Sequence, residues 1–167
     1  MSTERLRKYI TAALMAALTC FATYIIRIPS PNGYIHPGDS FVILSGIILG
    51  PVYGALSAGI GSMLSDLLAG FPQYALITLI IKALTALICV LIYRRLKRKL
   101  YSLILAGIIG GITVTLGYFT AEYFMYGLAG ALSAVPLNLI QNVFGLVLSV
   151  LLFPLLKKVP QIKDLMK

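Results

Sequence analysis

Residues 38–71 read GDSFVILSGIILGPVYGALSAGIGSMLSDLLAGF, and whether this stretch forms one helix or two decides the fold. It is apolar almost throughout, so a single long helix is one reading. Gly50-Pro51 argues for a break, because proline cannot extend a preceding helix normally and favours a helix start. Charge settles the choice. Arg5, Arg7 and Lys8 precede the first apolar run, and Arg94, Arg95, Lys97, Arg98 and Lys99 follow the fourth. Basic clusters between membrane spans stay on the cytoplasmic side, so an even number of crossings must separate these two. Fusing 38–71 leaves three crossings; splitting it at Gly50-Pro51 makes four.

Working outward from that break, the apolar runs fall at roughly 9–28, 38–50, 52–71, 74–93, 102–126 and 133–156. The last two return Lys157, Lys158, Lys163 and Lys167 to the cytoplasm. The fold class that satisfies every cluster is an all-α membrane protein: one domain over 1–167, a six-transmembrane-helix bundle with cytoplasmic N- and C-termini. A bilayer core of about 30 Å needs roughly 20 helical residues, so 38–50 is short. It is tolerable only if other helices bury it.

Composition agrees. The chain is 59% hydrophobic and 11% charged, with a mean hydropathy of +0.95, too little charge to cover a water-facing surface. The net charge of +9 matches anionic cytoplasmic headgroups. It argues against a nucleic-acid partner, since the aromatic residues lie in apolar runs and not among the basic ones. Cys20 and Cys89 each fall inside an apolar run and read as buried reduced thiols. The first run has no clear cleavage site and reads as a retained span. Neither an internal repeat nor a low-complexity segment stands out. No Walker A loop, catalytic triad or paired-carboxylate pattern is present, and the single histidine, His36, has no second His or Cys beside it to build a metal site. The expectation is a protein that is not an enzyme and holds no cofactor or metal.

Polar residues inside spans are expensive and mark function unless a structural role explains them. Counted inward from the outer ends at 1.5 Å per residue, Lys82, Tyr118 and Gln141 reach similar depths on three different spans. Glu122 and Asn138 lie shallower, Asn142 one step deeper, and Asn138, Gln141 and Asn142 share a helix face by i, i+3, i+4 spacing. This convergence reads as an outward-facing binding cavity. The competing account is a packing network, with Lys82 neutralised by Glu122 or Asp66. Tyr34, His36 and Asp39 sit between the first two spans. Either the loop folds over the cavity mouth, with Tyr34 or His36 reaching in, or Tyr34 is an interfacial anchor and Asp39 a helix N-cap. Tyr74, Tyr123 and Tyr126 read first as interface-belt residues.

Four features together resemble a known family along nearly the whole chain: Ala12-x3-Ala16 and Ala13-x3-Ala17 in the first span; Gly33-Tyr34-Ile35-His36-Pro37-Gly38-Asp39; Leu49-Gly50-Pro51-Val52-Tyr53-Gly54-Ala55, followed by Gly59-Ile60-Gly61-Ser62 and Ser65-Asp66-Leu67-Leu68; and Pro136-Leu137-Asn138-Leu139-Ile140-Gln141-Asn142. They are similar to the substrate-binding S components of energy-coupling factor (ECF) vitamin transporters. The resemblance implies a bacterial cell-membrane protein that captures a vitamin or precursor from outside, in a pocket capped by its first loop. It also implies partners, a transmembrane coupling subunit and two ATPase subunits, and a toppling motion that delivers the ligand inward. On that reading Ala12, Ala13, Ala16 and Ala17 contact the coupling subunit; packing within the bundle is the competing account. The pattern looks most like the hydroxymethylpyrimidine or vitamin B6 branches, with riboflavin, pantothenate, niacin and queuosine precursors open. Other function classes remain: an ion-coupled transporter acting alone, with Asp66 and Glu122 carrying protons, or a scaffold without a ligand.

Overall fold

A computed structural model describes residues 3–30 and 33–166, with only the backbone of 30, 33 and 34. Six helices and one small hairpin follow in order: α1 (Thr3–Ile25), β1 (Ile28–Ser30), β2 (Gly33–Ile35), α2 (Asp39–Leu49), α3 (Pro51–Ala69), α4 (Pro72–Arg95), α5 (Leu100–Lys157) and α6 (Pro160–Leu165). Four of these, α1, α3, α4 and α5, are long and apolar enough to cross a membrane.

The break at Gly50-Pro51 is present. Gly50 takes φ 83°, ψ −175°, a region open to glycine and closed to side-chain-bearing residues. Its N–H still closes the last turn of α2 on the Gly46 carbonyl at 2.9 Å. Pro51 then opens α3, where its missing N–H costs nothing. The short α2 lies at the centre of the bundle, against α1, α3, α4 and α5. All of its residues except Phe41 are buried, as a helix too short to span alone must be.

The fifth and sixth apolar runs join differently from expectation. Sequence spacing suggests a loop over 126–133, but helix resumes at once at 128. Only Gly127, at φ 76°, ψ −178°, interrupts α5 and divides it into arms 100–126 and 128–157. The hairpin is a second difference. Ile28 pairs with Ile35, Pro29 with Tyr34 and Ser30 with Gly33 in antiparallel register, so two short paired strands precede α2.

The basic clusters meet at one end. Arg7 forms an exposed pair with Asp164 at 3.4 Å, Arg98 Nη1 donates to the Met166 carbonyl at 2.9 Å, and Lys8 lies 5.3 Å over the Tyr53 ring. Ile162, Leu165 and Met166, on and just beyond α6, pack against the apolar core of Ile47, Leu49, Tyr93 and Phe153. At the opposite end lie the hairpin, the α3–α4 turn and Gly127, with the Tyr74 and Tyr126 rings 6.4 Å apart. Cys20 and Cys89 are buried and free.

Candidate ligand-binding site

Asp39 is the first residue of α2. From Gly50 to Asp39 α2 runs about 16 Å at 1.5 Å per residue, about half the thickness of a 30 Å bilayer core. Asp39 is 4% exposed, and a carboxylate there needs a partner. Lys82, on α4 and wholly buried, supplies it: Nζ bonds Asp39 Oδ1. The second oxygen, Oδ2, accepts from Gln141 Nε2 at 2.9 Å. Gln141 Oε1 in turn accepts the His36 N–H at 3.3 Å, and His36 Nδ1 accepts the Gly38 N–H at 3.2 Å. One connected network therefore ties α2, α4, the second arm of α5 and the segment after the hairpin.

Lys82 is neutralised by Asp39, not by Glu122 or Asp66. Asp39 is not a helix cap: Gly38 holds the cap position and no side chain caps α2, because the carboxylate is committed to Lys82 and Gln141.

A second group of polar residues lies towards the hairpin end. Lys82 Nζ sits 5.4 Å from the Tyr118 ring centre, within cation–π range. The Tyr118 hydroxyl meets Thr78 Oγ1 at 2.8 Å, and the Tyr74 hydroxyl donates to Glu122 Oε1 at 3.3 Å. The residues repeat every fourth position, Lys82, Thr78 and Tyr74 on α4 against Tyr118, Glu122 and Tyr126 on α5. They form a polar seam that climbs from the Asp39–Lys82 pair. Tyr123 and Tyr126 are exposed, as interface residues would be, but Tyr74 is buried and belongs to the seam.

Asn142 donates through Nδ2 to the Gly111 carbonyl at 2.7 Å and to Thr115 Oγ1 at 2.8 Å. That leaves its Oδ1 buried without a partner among the described residues, as is Glu122 Oε2. Asn142 also borders a cavity of about 10 Å³, with Asp39, Thr85, Gly107, Gly110 and Val114 around it; that is room for about one water molecule. Thus Lys82, Gln141 and Tyr118 gather as sequence depth suggests, together with Asp39 and His36. Glu122 sits one turn above them, Asn142 beside them, and Asn138 is half-buried on the same helix face. Tyr34 lies on β2, but its side chain falls outside the described residues. Thr78 and Tyr74 join the site without having been singled out as candidates; their i, i+4, i+8 spacing with Lys82 is the signal that could have found them.

The family model for the S component of ECF-type riboflavin transporters matches residues 4–158. This chain is an ECF transporter S component. It is 28% identical over 162 residues to the thiamine precursor transporter HmpT of Lactococcus lactis subsp. cremoris, covering 95% of this chain and 92% of the relative. An uncharacterized protein from the gap 3′ region of Pyrococcus woesei is 34% identical over 138 residues, or 81% of this chain and 92% of that one. In three dimensions the chain is similar to the S component described under "Structure and mechanism of the S component of a bacterial ECF transporter", with a TM-score of 0.77 and 26% identity, covering 92% of this chain and 97% of that one. The family consists of substrate-binding membrane subunits of transporters, not enzymes. S components bind a small vitamin ligand and work with a transmembrane coupling subunit and ATPases.

Proposed function

We propose that this S component crosses the cell membrane six times as one domain, with both ends cytoplasmic, and takes a small heteroaromatic vitamin precursor from outside. Hydroxymethylpyrimidine is the favoured ligand. Two arms of α5, the central α2 and the three long helices supply six crossings, and the meeting of all three basic clusters at one end supports their cytoplasmic placement. The ligand then enters at the hairpin end and descends the seam towards Asp39, Lys82 and Gln141, with Tyr118, Glu122, Asn138, Asn142 and His36 around it and Tyr34 on the hairpin.

The observation that carries the binding reading is the pair of buried acceptors, Glu122 Oε2 and Asn142 Oδ1, that have no hydrogen-bond partner among the described residues. A buried polar atom left unsatisfied costs about 1–3 kcal/mol; a ligand donor would relieve that cost. Glu122 and Tyr118 stand one helical turn apart, about 6 Å, a span suited to a single ring and short for a fused tricycle such as a flavin. The relative that transports a thiamine precursor supports the same choice over vitamin B6.

A second reading has its own support: Asp39, Lys82 and Gln141 satisfy one another, as a network holding the bundle would. Thermal melting of detergent-purified protein against a vitamin panel separates the two. At a hundred times its Kd, a ligand that binds only the folded state adds about 2.7 kcal/mol, or roughly 5–10 °C for a chain of this size. A saturable shift of that order with hydroxymethylpyrimidine supports the proposal. A larger shift with riboflavin or pyridoxine would replace the ligand, and no shift with any compound in folded protein would leave only the packing network. Uptake into liposomes by the isolated protein along a proton gradient would instead favour the self-sufficient transporter.

A further inference from the structure

The buried charges are unevenly matched. Lys82 is taken up by Asp39 within the protein, so the floor of the site has no spare cation. His36 is buried, and its Nδ1 accepts the Gly38 N–H. Towards the hairpin end the other ionisable side chains with formal charge are Arg27, Asp66 and Glu122. Arg27 is exposed, its guanidinium 4.6 Å over the Tyr24 ring, whereas both acids are buried.

Glu122 has the surroundings of a recognition group. It is 4% exposed; one oxygen receives the Tyr74 hydroxyl and the other has no partner among the described residues. Tyr74 stands 6.4 Å from both the Tyr118 and the Tyr126 rings, so three tyrosines flank the carboxyl group. Aromatic faces beside a carboxylate suit a positively polarised N–H group, stacking on its ring while the oxygen accepts its hydrogen. Glu122 lies one helical turn, about 6 Å, above Tyr118 and the Lys82 ammonium, a separation that one substituted six-membered ring can bridge.

We infer that Glu122 Oε2 accepts a hydrogen bond from an exocyclic amine of the ligand, so that the site selects amino-bearing rings and rejects anionic vitamins. The inference rests on the binding-subunit reading and adds the substrate class to it. Nicotinate and pantothenate bring a carboxylate to a site whose cation is already spent on Asp39. Pyridoxine and the flavins lack the primary amine that a 4-aminopyrimidine offers.

The test needs no variant at first. Purified wild-type protein is titrated with hydroxymethylpyrimidine and with its 4-oxo analogue, in which a carbonyl replaces the amine. The amine should bind roughly tenfold or more tightly, because the carbonyl meets an acceptor and leaves Oε2 unpaired. Equal affinities, or a preference for the oxo compound, would overturn the inference while the binding-subunit reading survives. Tight binding of riboflavin or nicotinate with no binding of the aminopyrimidine would do the same. No binding of any compound to folded protein would remove both. Glu122→Gln then gives a second reading, since an amide can donate to a carbonyl: the preference should shift towards the oxo analogue by about tenfold. An unchanged ratio in folded Glu122→Gln assigns selectivity to another residue.

Discussion

Replacing Asp39 by alanine is expected to lower stability by about 3–5 kcal/mol, the usual cost of stranding one member of a buried ion pair. Lys82 would be left in the middle of the bundle without its counter-charge, and Gln141 Nε2 would lose its acceptor. Replacing both partners by apolar residues of similar volume, Asp39→Leu with Lys82→Met, removes the stranded charge together with its counter-charge. Most of the stability should return, as it does when buried pairs are exchanged for well-packed hydrophobes. Unfolding in mixed detergent micelles would measure both steps. A single variant within about 1 kcal/mol of the parent would mean that the Lys82 ammonium reaches water or another acid. The stable double variant is also the cleanest test of the binding proposal: its fold persists while the polar floor of the site is gone, so ligand affinity should collapse.

Asp39 marks the limit of what the sequence reveals. The break at Gly50-Pro51 is legible because proline and charge parity constrain it independently. The gathering of Lys82, Tyr118 and Gln141 is legible because depth can be counted along a helix from its end. The partner of Lys82 is not, since that depends on where α2 begins within the bundle. A helix of 11 residues starts near mid-membrane only if its other end is pinned at the basic side, and an Asp at a helix start otherwise reads as a cap. The hairpin escapes notice because three-residue strands carry no alternation, and Pro29, Pro31 and Gly33 read as loop. The second half of α5 starts earlier than spacing suggests because one glycine at positive φ does the work of a connection over 127–132. Tyr74 looks like an interface residue until its hydroxyl is seen on Glu122.

A tryptophan at Ala13 is expected to cut vitamin uptake by roughly tenfold or more, the effect of about 1.4 kcal/mol or more at a docking contact, while leaving ligand binding intact. The alanines of α1 do not share one environment. Ala12 is half-buried against the apolar core, its carbonyl accepting from Ser57 Oγ at 2.9 Å. The Ala16 carbonyl lies so close to α3 that a Cβ on Gly61 would come within 2.4 Å of it. These two positions therefore serve the contact between α1 and α3. Ala13 is exposed, and Ile10, Ala13, Leu14, Ala17 and Phe21 follow one another at helical spacing; Ile10, Leu14 and Phe21 are each more than half exposed. An apolar face with small residues at its centre admits close approach of another membrane helix, and the coupling subunit with which S components work is the partner we propose for it. Ala12→Trp should behave differently, costing about 1–3 kcal/mol of stability by overpacking and weakening binding and uptake together. Measuring thermal stability, ligand affinity and uptake for both variants distinguishes the two roles. If Ala13→Trp takes up ligand at the parental rate, the exposed face of α1 is covered by lipid and the coupling subunit docks elsewhere.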